Sequence, residues 1–265
     1  MKNDLQISLL QLDLRWENPQ SNYTLIEKKI ASLPIDQDLI ILPEMFTTGF
    51  SMNTSVAEEF SLEMTSLRKM QEWSKKTNAA ISGSISVKDG NEFFNRLFFV
   101  RPDGSFDCYD KRHLFRLSDE NNYFTKGKVP LVIEWRSWKI KPLICYDLRF
   151  PVWSRNYIHE NDDADYDFLF YVASWPAVRS FPWKSLLTAR AIENQVYCAG
   201  INRCGKDGAD FDYSGDSRVL NPLGEIIGDG GSEESVVSVK LSADELTAFR
   251  KRFPVLKDAD SFELK

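Results

Sequence analysis

Along the first third of the chain, the spacing of apolar positions changes period twice. Leu5 to Leu14 alternates apolar and polar side chains, the two-residue period of a half-buried strand. Asn18-Pro19 then opens a helical stretch to about Leu33. Asparagine is a helix cap, proline fits the first turn, and Leu25, Ile26, Lys29 and Ile30 follow at helical spacing. Leu39-Ile40-Ile41-Leu42 is short, wholly apolar and stopped by Pro43, which predicts a buried strand. A second helix is predicted over 62–77 and a further strand over 79–87.

The middle of the chain predicts paired strands. Segments 93–100 and 106–109 flank the turn Pro102-Asp103-Gly104-Ser105, and 131–135 and 138–144 flank Arg136-Ser137. Pro142 lies inside the last of these. Proline cannot donate to a ladder, so it predicts an edge position, a bulge or a later strand start. The last third predicts a strand over 168–172, a helix over 181–194, a strand over 195–202 and two hairpin strands around Asn221-Pro222-Leu223-Gly224-Glu225. A strand over 236–241 precedes a helix whose start, Ser242 with Glu245 three residues on, reads as a capping box. Strand–helix alternation early and hairpins late fit a mixed sheet, or two stacked sheets, flanked by helices. No repeat or linker interrupts the 265 residues, so residues 1–265 are expected to form one domain.

Composition narrows the functional classes. A hydrophobic fraction of 43% and an aromatic fraction of 13% supply a sizeable core. The net charge is −6, and no basic stripe interleaves with aromatics, which argues against nucleic acid and anionic membrane as partners. The start Met1-Lys2-Asn3-Asp4 lacks a signal-peptide core, and no apolar run reaches the roughly 18 residues of a membrane span, so a cytoplasmic location is expected. The four cysteines form no CxxC pair. There are only two histidines, His113 and His159. A Ser-His-Asp triad, a Cys-His pair or a His-rich zinc site would need one of them, so the acid/base group of a hydrolase is expected to be something else.

Three residues are candidates for chemistry. Cys145 ends an apolar strand and precedes Tyr146-Asp147-Leu148-Arg149-Phe150-Pro151, a strand-to-helix turn that can expose a nucleophile among backbone N–H groups. A free cysteine is otherwise a buried hydrophobe. Glu44 follows the apolar strand at the end where α/β sheets collect active groups, and burial would tune it toward a general base. The alternative is a surface carboxylate. Lys111, just past another strand, could support a thiolate or an oxyanion, or be an ordinary solvated lysine. His113 is expected to shape the Lys111 loop, and His159, beside Glu160 and Asp162-Asp163, reads as exposed. Cys108, Cys198 and Cys204 read as buried or strand cysteines.

Taken together, the stretches Leu42-Pro43-Glu44-Met45-Phe46, Asp110-Lys111-Arg112-His113-Leu114-Phe115 and Ile144-Cys145-Tyr146-Asp147-Leu148-Arg149-Phe150-Pro151 resemble the nitrilase-like carbon–nitrogen hydrolase superfamily, with its Glu-Lys-Cys order. Ala189-Arg190-Ala191-Ile192-Glu193-Asn194-Gln195, Gly215-Asp216-Ser217-Arg218 and Asn221 to Glu225 extend the resemblance over nearly the whole chain. It implies a four-layer α-β-β-α sandwich of two mixed sheets flanked by helices, dimerised through a helical face. It also implies catalysis by Glu44, Lys111 and Cys145. A second glutamate supporting the lysine matches Glu120, with Asp119 as competitor.

The implied chemistry is amide hydrolysis through a Cys145 thioester. Glu44 is the base, and Lys111 with the Tyr146 N–H holds the oxyanion, with no metal or organic cofactor. His113 to Leu117, Phe150 to Asn156 and Ala173 to Arg179 look most like the bacterial omega-amidase branch. That branch hydrolyses the terminal amide of 2-oxo acid monoamides such as 2-oxoglutaramate and 2-oxosuccinamate. Such a substrate needs a cation opposite the scissile end. Arg179, Arg149, Arg116 and Arg203 are candidates, with Arg179 favoured because it follows Trp175 in a loop after a strand. Trp175 itself reads as a pocket wall or a core aromatic. For Arg149 and Arg190 an ion pair with a nearby carboxylate is the expectation. The alternatives are another amidase of the superfamily (a deaminated glutathione amidase, an N-carbamoyl amide hydrolase or an aliphatic amidase), a non-catalytic binding protein, or a redox sensor built on Cys145.

Overall fold

Asn18 caps the first helix as its residue type predicts: its Oδ1 accepts from the Ser21 N–H at 3.1 Å, with Pro19 opening α1 (Pro19–Ala31). The second helix, α2 (Thr65–Thr77), starts three residues later than the sequence predicts and ends at Asn78, which turns left-handed at φ 54°. The computed structural model describes residues 3–159 and 163–260; Glu160 and Asp162, the acidic neighbours of His159, lie outside these.

Two sheets carry the chain. The first contains β1 (Leu5–Gln11), β2 (Leu39–Ile41), β3 (Glu58–Glu59), β4 (Ala80–Asp89), β5 (Glu92–Val100) and β6 (Phe106–Asp110). The second contains β7 (Ile133–Trp135), β8 (Trp138–Ile144), β9 (Phe168–Ala173) and β10 (Tyr197–Asn202). After a separate hairpin of β11 (Cys204–Lys206) and β12 (Asp212–Ser214), the second sheet is completed by β13 (Arg218–Leu220) and β14 (Ile226–Asp229). The chain then returns as β15 (Ser235–Leu241) to the outer edge of the first sheet. The orders are β15-β1-β2-β4-β5-β6, with β3 beside β4, and β14-β13-β10-β9-β8-β7. In the first sheet β1, β2 and β4 are parallel; in the second β8, β9 and β10 are parallel; hairpins extend both.

Leu5, Ile7 and Leu9 of β1 point into the core shared with the second sheet. Leu10, Leu12 and Leu14 join Ile26 and Ile30 of α1 and Leu67, Met70 and Trp73 of α2 on the other side. This corrects the half-buried expectation for β1: both of its faces are covered, so even Ser8 and Gln11 are buried, each hydrogen-bonded. On the far side α4 (Ser180–Asn194) seals the second sheet with Trp183, Leu187 and Ala191, giving the helix–sheet–sheet–helix layering. Pro142 sits in β8 past Ile140, the last residue paired with β7, so its missing donor faces an open edge.

Two local details complete the account of the elements. Arg136 and Ser137 both adopt positive φ, 50° and 66°, as a two-residue hairpin turn demands. At α5 (Ala243–Arg252) the Ser242 side chain caps the Glu245 N–H, whereas the reciprocal half of the capping box is replaced by the Tyr197 hydroxyl. That hydroxyl takes the Ser242 N–H and bonds Glu245.

Candidate active site

β2, β4 and β6 run in one direction, and the parallel trio of the second sheet delivers its ends to the same rim. Glu44 follows β2, Lys111 follows β6, Cys145 follows β8 and Ser174 follows β9. A topology of this kind gathers loop residues at the carboxyl ends of strands.

Glu44, Lys111 and Glu120 are wholly buried, which rules out the surface readings for Glu44 and Lys111. Lys111 Nζ lies 2.8 Å from Glu44 Oε1 and 3.0 and 2.9 Å from the two Glu120 oxygens. The other Glu44 oxygen accepts from the Ser174 N–H at 2.8 Å, and Glu120 Oε2 accepts from the Phe115 N–H at 2.6 Å. Asn95 of β5 donates to both carboxylates, at 2.8 Å to Glu44 and 3.4 Å to Glu120. The choice between Glu120 and Asp119 falls to Glu120, since Asp119 is exposed and turns left-handed at φ 58° to start α3 (Glu120–Tyr123).

Two carboxyl groups face one ammonium in this buried cluster, and the neighbouring groups respond. Burial opposes the Lys111 ammonium, yet Glu120 and Glu44 outweigh it and lift its pKa above the ordinary value. Burial and then Glu44 push the Cys145 thiol well above its usual range, with Lys111 and the Ser174 backbone only partly offsetting them. Burial also raises Glu120, and Glu44 adds to it against the pull of Lys111.

Cys145 opens a 3-10 turn, Cys145–Arg149, at φ 42°, a conformation L-residues rarely hold without compulsion. The compulsion is Asp147. Its carboxylate is fully buried and accepts from the Ile144 N–H at 3.0 Å and the Tyr109 hydroxyl at 2.8 Å. It also bonds the His113 backbone N–H at 3.0 Å and the His113 Nδ1 at 2.7 Å. One side chain therefore ties the residue before Cys145 to both flanks of Lys111. His113 shapes that loop as expected, stacked on Phe150 with centroids 3.8 Å apart, and His159 is exposed and bonded to Asp165. Among the described residues no cluster of three or more His, Cys, Asp or Glu could hold a metal ion.

Above Cys145 a cavity of about 400 Å³ opens between Trp16, Phe50, Phe115, Tyr146, Trp175 and Phe211, within the size range of small-molecule sites. Trp175 is both wall and core: it lines the cavity and packs on Trp183 with centroids 5.4 Å apart. Arg149 and Arg179 reach the cavity, whereas Arg116 does not line it and Arg203 is buried elsewhere beside Asp13 and Tyr213. Arg190 pairs with Glu193 as expected. Arg149 departs from expectation, because it makes no ion pair with any described residue and instead lies over the Trp175 ring at 4.9 Å.

Sequence reasoning missed Asn95, Ser174 and the tie made by Asp147. Asn95 left a faint signal, a polar residue among Phe93, Phe94, Leu97 and Phe98 in a strand. Ser174 acts through its backbone, which side-chain chemistry cannot announce.

The family model described as carbon-nitrogen hydrolase matches residues 6–251. The chain is 44% identical over 264 residues to the omega-amidase YafV of Escherichia coli K12, covering 98% of each. It is 34% identical over 260 residues to the 2-oxoglutaramate amidase of Bacillus subtilis 168, covering 95% of this chain and 96% of the relative. The crystal structure of XC1258 from Xanthomonas campestris, a CN-hydrolase superfamily protein with an arsenic adduct in its active site, superposes with a TM-score of 0.96 at 40% identity, covering 99% of each chain.

Proposed function

Because the chain belongs to the carbon–nitrogen hydrolase family, we propose that it is an omega-amidase acting on 2-oxo acid monoamides, with Cys145 as nucleophile. It is a hydrolase of amide carbon–nitrogen bonds, and the finer reading is supported by its relatives' names, 2-oxoglutaramate amidase among them. The observation that carries the mechanism is the buried Glu44–Lys111–Glu120 cluster beside Cys145 at the floor of the cavity.

The raised thiol pKa means that a free thiolate is scarce at neutral pH, so the proton leaves as the bond forms. Cys145 Sγ attacks the amide carbon while Glu44 takes the thiol proton, and the carbonyl oxygen becomes an oxyanion held by Lys111 and the Tyr146 N–H. A well-placed donor of this kind contributes roughly 3–4 kcal/mol. Lys111, clamped by two carboxylates, stays an ammonium throughout, and Glu120 positions it. Glu44 returns the proton to the leaving nitrogen, ammonia departs, and the acyl group remains on Cys145 as a thioester. Water deprotonated by Glu44 then adds to the thioester, releasing the acid and the thiol. Tyr146, Trp175 and Arg179 are the substrate-contacting residues of this reading, all on the cavity wall.

The same proposal treats residues 1–265 as one catalytic domain working in the cytoplasm as a homodimer. Supporting it are the four free thiols and the outward apolar side chains Phe181 and Ile192 of α4. The test is ammonia release from 2-oxoglutaramate by the protein and by Cys145→Ala. Release by the parent and none by the variant is expected. Equal release by both refutes the role of Cys145, and release by neither refutes the omega-amidase reading.

A further inference from the structure

We infer that Arg149 is a substrate-binding residue: with Arg179 it receives the carboxylate of an anionic ω-amide and turns the amide end toward Cys145. This deepens the amidase reading and rests on it. The first argument is the contrast with the other buried and partly buried arginines. Arg96 is paired with Asp89 and Asp110, Arg190 with Glu193, Arg203 with Asp13, Arg218 with Asp229 and Arg250 with Asp167. Arg112 and Arg155, partly buried and without an acid, donate instead to the Gly127 and Glu193 carbonyls at 3.1 and 3.0 Å. Arg149 and Arg179 are also partly buried, both line the cavity, and neither guanidinium has an ion-pair or hydrogen-bond partner among the described residues. A guanidinium held at a cavity wall with its N–H groups unclaimed is suited to receive an anion.

The second argument is rigidity. Arg149 closes the same short turn that Cys145 opens, so one backbone segment sets the relation of the two. Its guanidinium lies over Trp175 at 4.9 Å, and that of Arg179 lies over Phe115 at 5.5 Å. Stacking occupies a face and leaves the edge N–H groups for bidentate contact. Trp175 joins the pair: its backbone N–H donates to Asn202 at 2.7 Å and its indole N–H to the Arg179 carbonyl at 2.8 Å.

The third argument is the charge map. At the floor the single ammonium, Lys111, is already engaged by Glu44 and Glu120, so it offers a substrate carboxylate no free cation, whereas the two arginines do. Asp207 lines the cavity too, but its oxygens accept from the Tyr213 hydroxyl and from the backbone N–H groups of Ala209 and Phe211. An amide with a carboxylate at its far end thus has one favourable orientation. A neutral amide of equal length has no such guide.

The experiment compares kcat/KM for glutaramate and for its neutral counterpart pentanamide, using the parent, Arg149→Gln, Arg149→Lys and Arg179→Gln. The parent is expected to prefer glutaramate. Arg149→Gln should lower kcat/KM for glutaramate by about 10- to 100-fold, chiefly through KM, collapsing the preference, and Arg149→Lys should restore part of it. Parental preference retained in Arg149→Gln overturns the inference. So does a parent that hydrolyses pentanamide as well as glutaramate, an outcome that leaves the amidase reading intact. A parent inert on both glutaramate and 2-oxoglutaramate removes the omega-amidase reading and this inference with it. Should Arg149→Gln fold poorly, the parent decides alone: glutarate, and not pentanamide, should slow alkylation of Cys145 by iodoacetamide, and equal or absent protection refutes the anion site.

Discussion

Replacing Asp147 with asparagine keeps the shape of the side chain and removes its ability to accept on both sides. Oδ1 accepts from the His113 backbone N–H and bonds Nδ1; Oδ2 accepts from the Ile144 N–H and the Tyr109 hydroxyl. An asparagine amide has one oxygen and one NH2. With the oxygen toward His113, the Tyr109 hydroxyl can turn to accept, but the Ile144 N–H faces another donor. With the oxygen toward Ile144, the His113 ring can change tautomer, but the His113 backbone N–H is orphaned. Either way one backbone donor loses its partner at a fully buried site, costing about 1–3 kcal/mol, and the remaining bonds lose their charge assistance. A total loss of about 2–4 kcal/mol follows, read as a lower urea midpoint at unchanged slope. Because the orphaned donor adjoins either Cys145 or the Lys111 loop, kcat should fall with little change in KM. A loss below about 0.5 kcal/mol, the range of an indifferent surface substitution, would falsify the claim that Asp147 forces Cys145 to its positive φ.

Three further substitutions probe other parts of the molecule. Lys141, buried in β8 over the Tyr166 ring with no ion pair among the described residues, has its pKa lowered by burial to about 8 from 10.5, with Asp165 offsetting only part of the effect. The unfolded chain therefore binds more protons between those values, so stability contributed here is present above pH 10.5 and lost as pH falls through about 8. Lys141→Met should stabilise the protein at pH 7 by an amount on the order of 1–3 kcal/mol and flatten that pH window in thermal melts; destabilisation at pH 7 would contradict the assignment. Asn95→Asp would set a third carboxylate against Glu44 and Glu120, with one lysine to serve all three, and should reduce ammonia release by about 100-fold or more; near-parental turnover would show that Asn95 is not needed to hold the cluster. A Cβ at Gly200 would meet Leu187 Cδ1 at 2.5 Å and Trp183 Cζ2 at 2.6 Å, so Gly200→Ala should lift α4 from its sheet and cost about 1–3 kcal/mol in urea unfolding, a neutral result excluding tight packing there.

Local sequence sufficed for most elements because their signals are local. Asn18-Pro19 starts α1, Ser242 caps α5, and the apolar run after Asp38 is a strand whatever surrounds it. The order Glu44, Lys111, Cys145 was equally legible, since each stands at the end of a strand that its own residues announce. Tertiary structure alone decided the environment. Whether Glu44 and Lys111 are buried depends on a second sheet that begins only at Ile133, and the Cys145 thiol is raised by its own burial and by the nearness of Glu44. β1 looked half-buried because alternation records one apolar face; the covering of the other face by α1 and α2 leaves Ser8 inside, and the segment before β15 closes over Gln11, each with partners no pattern reveals. Arg149 stood among four candidate cations with an ion pair to a nearby carboxylate as the expectation, yet the turn that opens at Cys145 carries its guanidinium onto Trp175 and to the cavity wall. Periodicity and capping are properties of neighbours along the chain, whereas charge balance, desolvation and the direction of a side chain are set by neighbours in space.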